Sequence, residues 1–144
     1  MINILDNNSL IYLEENKLYI EERHSCSITD EVKSEFIIGK SQETYLAKCK
    51  FSPLSIELSV YLREYKRVLN AYSLLSFYNL KGIGDVSILA TACALALAAS
   101  QTNSLFPSIN IVTNDIKLIK ATEKEMLSNS IIMTQVIEDW SKLI

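Results

Sequence analysis

Four acidic residues stand where an apolar strand is predicted to end or a helix to begin: Asp6, Glu35, Asp85 and Asp115. In an open parallel sheet, such positions gather at the carboxyl edge of the strands. Carboxylates crowded there repel one another unless a cation lies between them. Hard divalent cations such as Mg²⁺ prefer oxygen ligands and promote phosphodiester hydrolysis by activating water and neutralising charge. The four acids therefore predict a metal-dependent centre that hydrolyses phosphodiesters.

Other common catalytic sets find no support in the sequence. His24 is the only histidine, so a zinc site or a histidine-activated nucleophile lacks a companion. Cys26, Cys49 and Cys93 show no CxxC spacing, and we expect them to be reduced thiols in the core. The alternative interpretation is that the four acids have only a structural role, because Asp and Asn after strands are ordinary turn and cap residues.

Length and charge set the broad class. With 144 residues and 49% apolar composition, the chain fits one domain, residues 1–144, with a sizeable core. The formal net charge of −3 counts mildly against a nucleic-acid partner. A carboxylate cluster loaded with metal reverses its own local charge, however, and a few Lys and Arg at its rim can contact phosphates.

The sequence predicts a cytoplasmic protein without a membrane segment. The amino terminus reaches Asp6 without the cationic region and apolar run of a signal peptide. The longest apolar stretch, residues 88–99, falls short of the ~20 residues that cross a bilayer.

The elements that would position the first two acids are two strand-to-helix units. Residues 2–5 are an apolar run that predicts a strand ending at Asp6, with a helix from Ser9. Residues 17–20 are ambiguous between helix and strand. A second extended segment ends near Thr29, which is a suitable N-cap for a helix that carries Glu35.

The second half of the chain follows the same alternation. Gly39 and Pro53 predict breaks, and residues 55–77 show the apolar spacing of a long helix or a pair of helices. Asp85 begins an Ala-rich helix that is apolar nearly all round and should be buried. Strands are expected at residues 109–113 and 130–136, with a helix from Ile116 and a tail that caps the sheet or forms a last helix. This order indicates an α/β fold with a mainly parallel sheet.

Four blocks of the sequence together resemble the PIN domain family, within it the toxin ribonucleases of toxin–antitoxin pairs. The first block, ILDNN at residues 4–8, is similar to the family's strand ending in Asp. The second, residues 28–36, places a Val three positions before a Glu. The third, GIGDVSILATA at residues 82–92, resembles the Gly-rich turn, acid and Ala-rich helix. The fourth, IVTND at residues 111–115, resembles the strand ending in Thr, a variable residue and Asp.

The resemblance implies both a fold and an activity. It implies a three-layer α/β/α fold with a mainly parallel sheet of about five strands and a helical hairpin near residues 55–77 that forms a homodimer. It implies an endoribonuclease that uses Mg²⁺ or Mn²⁺, with an RNA substrate and an antitoxin protein as partners. By resemblance, Asn8 and Thr113 orient ligands or water, and the four acids that hold the metal are Asp6, Glu35, Asp85 and Asp115.

The sequence also departs from the family and leaves alternatives open. Asn7 replaces the Ser or Thr common in the toxin group, and residues 14–24 match no family pattern. Glu31 competes with Glu35 for the helix position, since residues four apart share a helix face. The runner-up function is an inactive PIN-like module that binds RNA or a protein partner. A receiver-like domain is a third reading, but the sequence lacks its Lys near the end of a late strand.

The charged and aromatic residues of the long helix have two readings. Arg63, Lys66 and Arg67 are candidates for phosphate contacts, although a run of charges on a helix is more often a solvated face. The tyrosines of the same segment are more often core or dimer contacts than platforms for stacking bases; they are Tyr61, Tyr65 and Tyr72.

Overall fold

A parallel β-sheet runs through the protein, whose computed structural model describes residues 1–72, 83–101, 108–126 and 132–144. Its strands are β1 (Ile2–Leu5), β2 (Cys26–Ser27), β3 (Ile109–Val112) and β4 (Ile132–Gln135), in the order β2-β1-β3-β4. All three pairings are parallel, and Ile4 of β1 lies in register with Ile111 of β3. The β-branched residues of these strands suit a sheet that is covered on both faces.

Within the described residues, the number of strands is lower than predicted. The sheet has four strands within the described residues, whereas about five were expected. The ambiguous residues 17–20 form neither helix nor strand, because α1 ends at Glu15 and Lys17 takes a left-handed conformation with φ of 55°. The last predicted strand appears as β4, while residues 130 and 131 lie outside the described part of the chain.

Seven α-helices are described around the sheet, together with a short 3₁₀ helix at Glu22–His24. They are α1 (Asn7–Glu15), α2 (Asp30–Phe36), α3 (Lys40–Lys48), α4 (Leu58–Ala71), α5 (Ile83–Gln101), α6 (Ile116–Met126) and α7 (Ile137–Ser141). Two bounds differ from the sequence analysis, because α1 begins at Asn7 rather than Ser9 and α4 begins after an extended Glu57. In addition, α3 was not predicted. Residues 73–77 of the expected long helix lie outside the described residues.

Helices cover both faces of the sheet. The chain leaves β1 towards one edge to form β2 and then crosses to the other side to form β3 and β4. Right-handed crossovers place α1 on one face and the crossover helices α5 and α6 on the other, in agreement with a three-layer α/β/α arrangement. α5 packs on β1, β3 and β4 and contacts α2, α4 and α6, while α1 contacts α7.

The core confirms two predictions. The Ala-rich α5 is buried along most of its length, including Ile88 and Leu89. Cys26, Cys49 and Cys93 are free and buried. Burial raises the pKa of Cys26 and of Cys93 to about 12, so both are protonated thiols at neutral pH. None of the helices in the described ranges is long and apolar enough to cross a membrane.

Candidate active site

Asp6 is held at the end of β1 by two hydrogen bonds. It is the N-cap of α1, where its Oδ1 accepts the Ser9 backbone N–H at 2.8 Å. Its Oδ2 accepts the hydroxyl of Thr113, which lies just after the neighbouring strand β3. The Ser9 hydroxyl in turn donates to the Val112 carbonyl at 2.8 Å. The Asp6 side chain is thus buried and fixed at the carboxyl edge of the sheet.

Thr113 connects Asp6 to Asp115. Its side chain is fully buried, and its Oγ1 accepts the Asp115 backbone N–H at 2.9 Å while donating to Asp6. Asp115 caps α6, because its Oδ1 accepts the backbone N–H of Lys117 at 2.9 Å and of Leu118 at 3.3 Å. One hydroxyl therefore sets the relative positions of two acids that are far apart in the sequence.

Glu35 reaches the first turn of α5, whereas Glu31 does not. The Gly84 backbone N–H donates to Glu35 Oε1 at 3.0 Å. A Cβ atom at position 84 would lie 2.7 Å from the same oxygen, so glycine permits the close approach of this carboxylate. Glu31 instead accepts the hydroxyl of Tyr61 at 3.4 Å. The structure therefore brings Glu35, rather than Glu31, next to Asp85.

The raised pKa of Asp85 indicates that the four acids lie near one another. Its pKa is raised to about 8, first by burial and then by the charges of Asp115, Asp6 and Glu35, with a further contribution from a hydrogen bond to Asp115. Each cause beyond burial comes from a predicted site residue on a different element. Without a cation, Asp85 holds a proton at neutral pH because a further negative charge at this edge is unfavourable.

The donor set fits a hard divalent cation in chemistry, although it is not a formed cage. All four side chains are carboxylates, the ligands that Mg²⁺ and Mn²⁺ prefer. Within the described residues, no group of three or more His, Cys, Asp or Glu side chains is arranged to hold a metal ion. The acids are close enough to shift the pKa of Asp85 and would have to draw together to share a cation.

The structure also gives roles to residues that the sequence did not single out. The Ser87 hydroxyl donates to the Gly84 carbonyl at 2.7 Å and forms a 2.8 Å hydrogen bond with Thr29 Oγ1. These two hydrogen bonds hold the first turn of α5 against the start of α2.

The two asparagines of the first turn of α1 differ. Asn8, predicted to orient ligands or water, is exposed, whereas Asn7 has a buried Oδ1 without a hydrogen-bond partner among the described residues. The close spacing of Gly82 and Gly84 was the one sequence signal for the approach of Glu35.

The candidate phosphate contacts on α4 fall into two groups, one that is paired within the protein and one that is exposed. Arg67 pairs with Glu64 at 3.0 Å and forms a two-pronged ion pair with Glu125 at 3.0 and 3.3 Å. Its guanidinium is therefore engaged within the protein, while Arg63 and Lys66 are exposed. Tyr72 is buried and donates to Glu125 at 2.8 Å, so it belongs to the core, as the sequence favoured.

Comparison with known proteins found no matching protein-family model, curated protein or solved structure. The fold and the converging acids define an α/β protein with an acidic centre at the carboxyl edge of a parallel sheet. The resemblance to the PIN domain family stays a prediction from the four sequence blocks.

Proposed function

We propose that this protein is a metal-dependent endoribonuclease that hydrolyses RNA phosphodiester bonds. The observation that carries the proposal is geometric: the Thr113 hydroxyl joins Asp6 to Asp115, and Glu35 accepts the backbone N–H of Gly84, the residue before Asp85. The pKa of Asp85, raised first by burial and then by Asp115, Asp6 and Glu35, agrees with this arrangement. Acids brought together from four separate segments at the carboxyl edge of a parallel sheet occupy the place where such folds bind ligands. Groups with strongly perturbed pKa values cluster at functional sites.

Each residue of the centre has a role in the proposal. Asp6, Glu35, Asp85 and Asp115 would hold Mg²⁺ or Mn²⁺. When bound, the cation would activate water and neutralise charge on the scissile phosphate. Thr113 keeps Asp6 and Asp115 at a fixed separation. Asn8, which is exposed in the first turn of α1, would orient ligands or water. The proposal needs no protein nucleophile, because the attacking group is water. The buried thiols of Cys26 and Cys93 are protonated, and His24 precedes β2, at the opposite edge of the sheet.

The biological setting in the proposal is that of a cytoplasmic toxin paired with an antitoxin protein. It rests on the resemblance of the four sequence blocks. A homodimer through α4 is part of the same proposal, since Leu58, Leu62 and Leu69 follow one helical stripe and are exposed.

Cleavage of RNA by an Asp85→Asn variant tests the proposal. The change removes one ligand charge and nearly preserves the size of the side chain. We expect it to lower the cleavage rate at least ~100-fold in the presence of Mg²⁺ or Mn²⁺. Asp139→Asn is the matched control, because Asp139 is exposed and pairs only loosely with Lys142 at 3.9 Å. Undiminished cleavage by the Asp85 variant, or an equal loss in the control, would contradict the proposal.

The second candidate is an inactive PIN-like module that binds RNA or a protein partner without cleaving. It is favoured by one observation: no group of three acids in the described part of the chain is arranged to hold a metal ion. Such a module would bind its partner equally well in EDTA and in Mg²⁺. A nuclease would need the cation for turnover, so cleavage assays with and without EDTA separate the two.

A further inference from the structure

A cavity of about 440 Å³ lies between α2, the extended segment before α4, and α5. Its lining includes none of the four acids of the acidic centre. The apolar part of the lining consists of Ile28, Pro53, Leu54, Ile56 and Leu58. The volume falls within the ~300–1,000 Å³ that is typical of small-molecule sites. The cavity is therefore a candidate binding site separate from the acidic centre.

Two acids and a tyrosine give the cavity its charge. Asp30 and Glu31 line it, and no residue of its described lining is basic. Glu31 Oε1 accepts the hydroxyl of Tyr61 at 3.4 Å, so α2 and α4 meet at the cavity. Burial raises the pKa of Tyr61 to about 12, and the charge of Glu31 adds to the effect. A ligand here meets negative charge beside apolar walls, which favours a cation.

Thr91 adds a buried hydroxyl to the same cavity. It lies in α5, is only 2% exposed and lines the cavity. No hydrogen bond of its hydroxyl is found within the described part of the chain. The equally buried hydroxyl of Thr122 in α6, by contrast, donates to the Leu118 carbonyl at 2.8 Å. Because buried hydroxyls are normally hydrogen-bonded, Thr91 calls for a polar partner within the cavity.

A structural role explains only part of this arrangement. Acidic residues in the first turn of a helix interact favourably with its dipole, so Asp30 and Glu31 also stabilise α2. That role requires neither an apolar cavity beside the acids nor a buried hydroxyl that lines it. Apolar walls with a few polar groups are the usual composition of a small-molecule site.

We propose that this cavity binds a small molecule with an apolar body, a protonated amine and a second polar group. The apolar walls and the Tyr61 ring cover the body, the amine donates to the Glu31 carboxylate, and the second polar group hydrogen-bonds to Thr91. This inference goes beyond the proposed function and does not depend on it. It also gives a role to Glu31, which lies one turn before Glu35 on α2 but contacts Tyr61 instead of the first turn of α5.

The test compares the binding of tryptamine and tryptophol by calorimetry at pH 7 in EDTA. Both probes carry an indole ring with one N–H donor, but tryptamine ends in an ammonium group and tryptophol in a hydroxyl. We expect saturable binding of tryptamine and at least ~tenfold weaker binding of tryptophol, equivalent to ~1.4 kcal/mol. The reason is that a hydrogen bond from an ammonium group to a carboxylate is stronger than one from a neutral hydroxyl.

Two variants locate the ligand in the cavity. Glu31→Gln removes the charge and nearly preserves the size of the side chain, so tryptamine should bind about tenfold more weakly. Thr91→Val keeps the shape of the side chain and removes its hydroxyl, so binding should weaken about threefold. Glu43→Gln is the matched control, because Glu43 also lies in the first turn of a helix but is exposed and outside the lining. Its affinity for tryptamine should equal that of the wild type.

A second control separates the cavity from the acidic centre. Asp85→Asn should bind tryptamine as tightly as the wild type does, because Asp85 does not line the cavity. A loss of affinity in this variant would show that the acidic centre holds the amine and would overturn the inference.

The remaining outcomes are distinct. Equal binding of the two probes, wild-type affinity in Glu31→Gln, or no saturable binding of tryptamine at millimolar concentration would overturn the amine site. An equal loss in Glu31→Gln and Glu43→Gln would overturn it as well, since the effect would then be one of overall charge. Each of these results leaves the proposed nuclease standing. Tryptamine binding as expected in a protein that cleaves no RNA would contradict the proposed function alone.

Discussion

Acidic residues cluster in two regions of the molecule, and the two clusters are built in opposite ways. Where α4 meets α6, Glu64 and Glu125 share the guanidinium of Arg67. Burial alone would lower the pKa of Arg67, yet its hydrogen bonds to Glu125 and Glu64 outweigh that effect and raise it. At the carboxyl edge of the sheet, the ion pairs in the described part of the chain include none with the four predicted site acids.

The difference indicates what each cluster is for. The cluster at Arg67 supplies its own cation and ties α4 to α6, so it stabilises the fold. At the acidic centre, burial and the charges of the neighbouring acids raise the pKa of Asp85 to about 8, which is an unfavourable arrangement in the protein alone. An arrangement of acids that destabilises the protein is typical of a site that binds a ligand.

Removing the cation of the first cluster should give the largest change in stability. In Arg67→Met, the side chain keeps its apolar stem, but Glu64, which is only 6% exposed, loses its partner. We expect the free energy of unfolding to fall by about 3 kcal/mol, because an unpaired buried charge is costly. Urea unfolding at neutral pH measures this loss.

The control for that variant is Arg63→Met on the same helix. Arg63 is exposed, so its replacement should change the free energy of unfolding by less than ~0.5 kcal/mol. If Arg67→Met and Arg63→Met proved equally mild, the paired cluster would not be a stabilising element and the contrast between the two regions would fail.

The acidic centre should respond in the opposite direction and with a smaller change. The folded-state pKa of Asp85, about 8, lies above 3.8, the ordinary pKa of an aspartate. The folded protein therefore holds an extra proton between these two pH values, and this group's contribution to stability is lost as pH rises from about 4 to about 8. In EDTA, Asp85→Asn should be more stable than the wild type by about 2 kcal/mol at pH 9, after a discount for solvent screening.

The measurement is urea unfolding of the wild type and Asp85→Asn in EDTA at pH 5 and pH 9. The advantage of the variant should grow between the two pH values, since only the wild type must ionise Asp85. An advantage that does not change with pH would mean that the four acids do not interact in the folded protein, and the contrast with the paired cluster would disappear.

Local patterns in the sequence predicted much of the fold and the candidate site. The apolar runs before Asp6 and Asp115 became β1 and β3, since β-branched residues bounded by Asn and Asp are strong strand signals. The apolar composition of α5 predicted a buried helix. Asp6 and Asp115 lie close together because the parallel strands β1 and β3 end on the same side of the sheet.

What sequence patterns missed depends on contacts between distant residues. α3 buries only Tyr45 along its length, so it carries little apolar periodicity. The ion pair of Arg67 and Glu125 joins residues 58 positions apart, and no local pattern distinguishes Arg67 from its solvated neighbour Arg63. The choice between Glu35 and Glu31 likewise depends on which of them meets Gly84 in the fold.

Calorimetric titration with Mg²⁺ tests most directly whether the unpaired acids form a cation site. At pH 7 we expect saturable binding by the wild type, with release of a proton because the pKa of Asp85 is about 8. Binding should weaken at least ~tenfold in Asp85→Asn and stay unchanged in Asp139→Asn. Absence of saturable binding by the wild type at millimolar Mg²⁺, and likewise with Mn²⁺, would contradict the account.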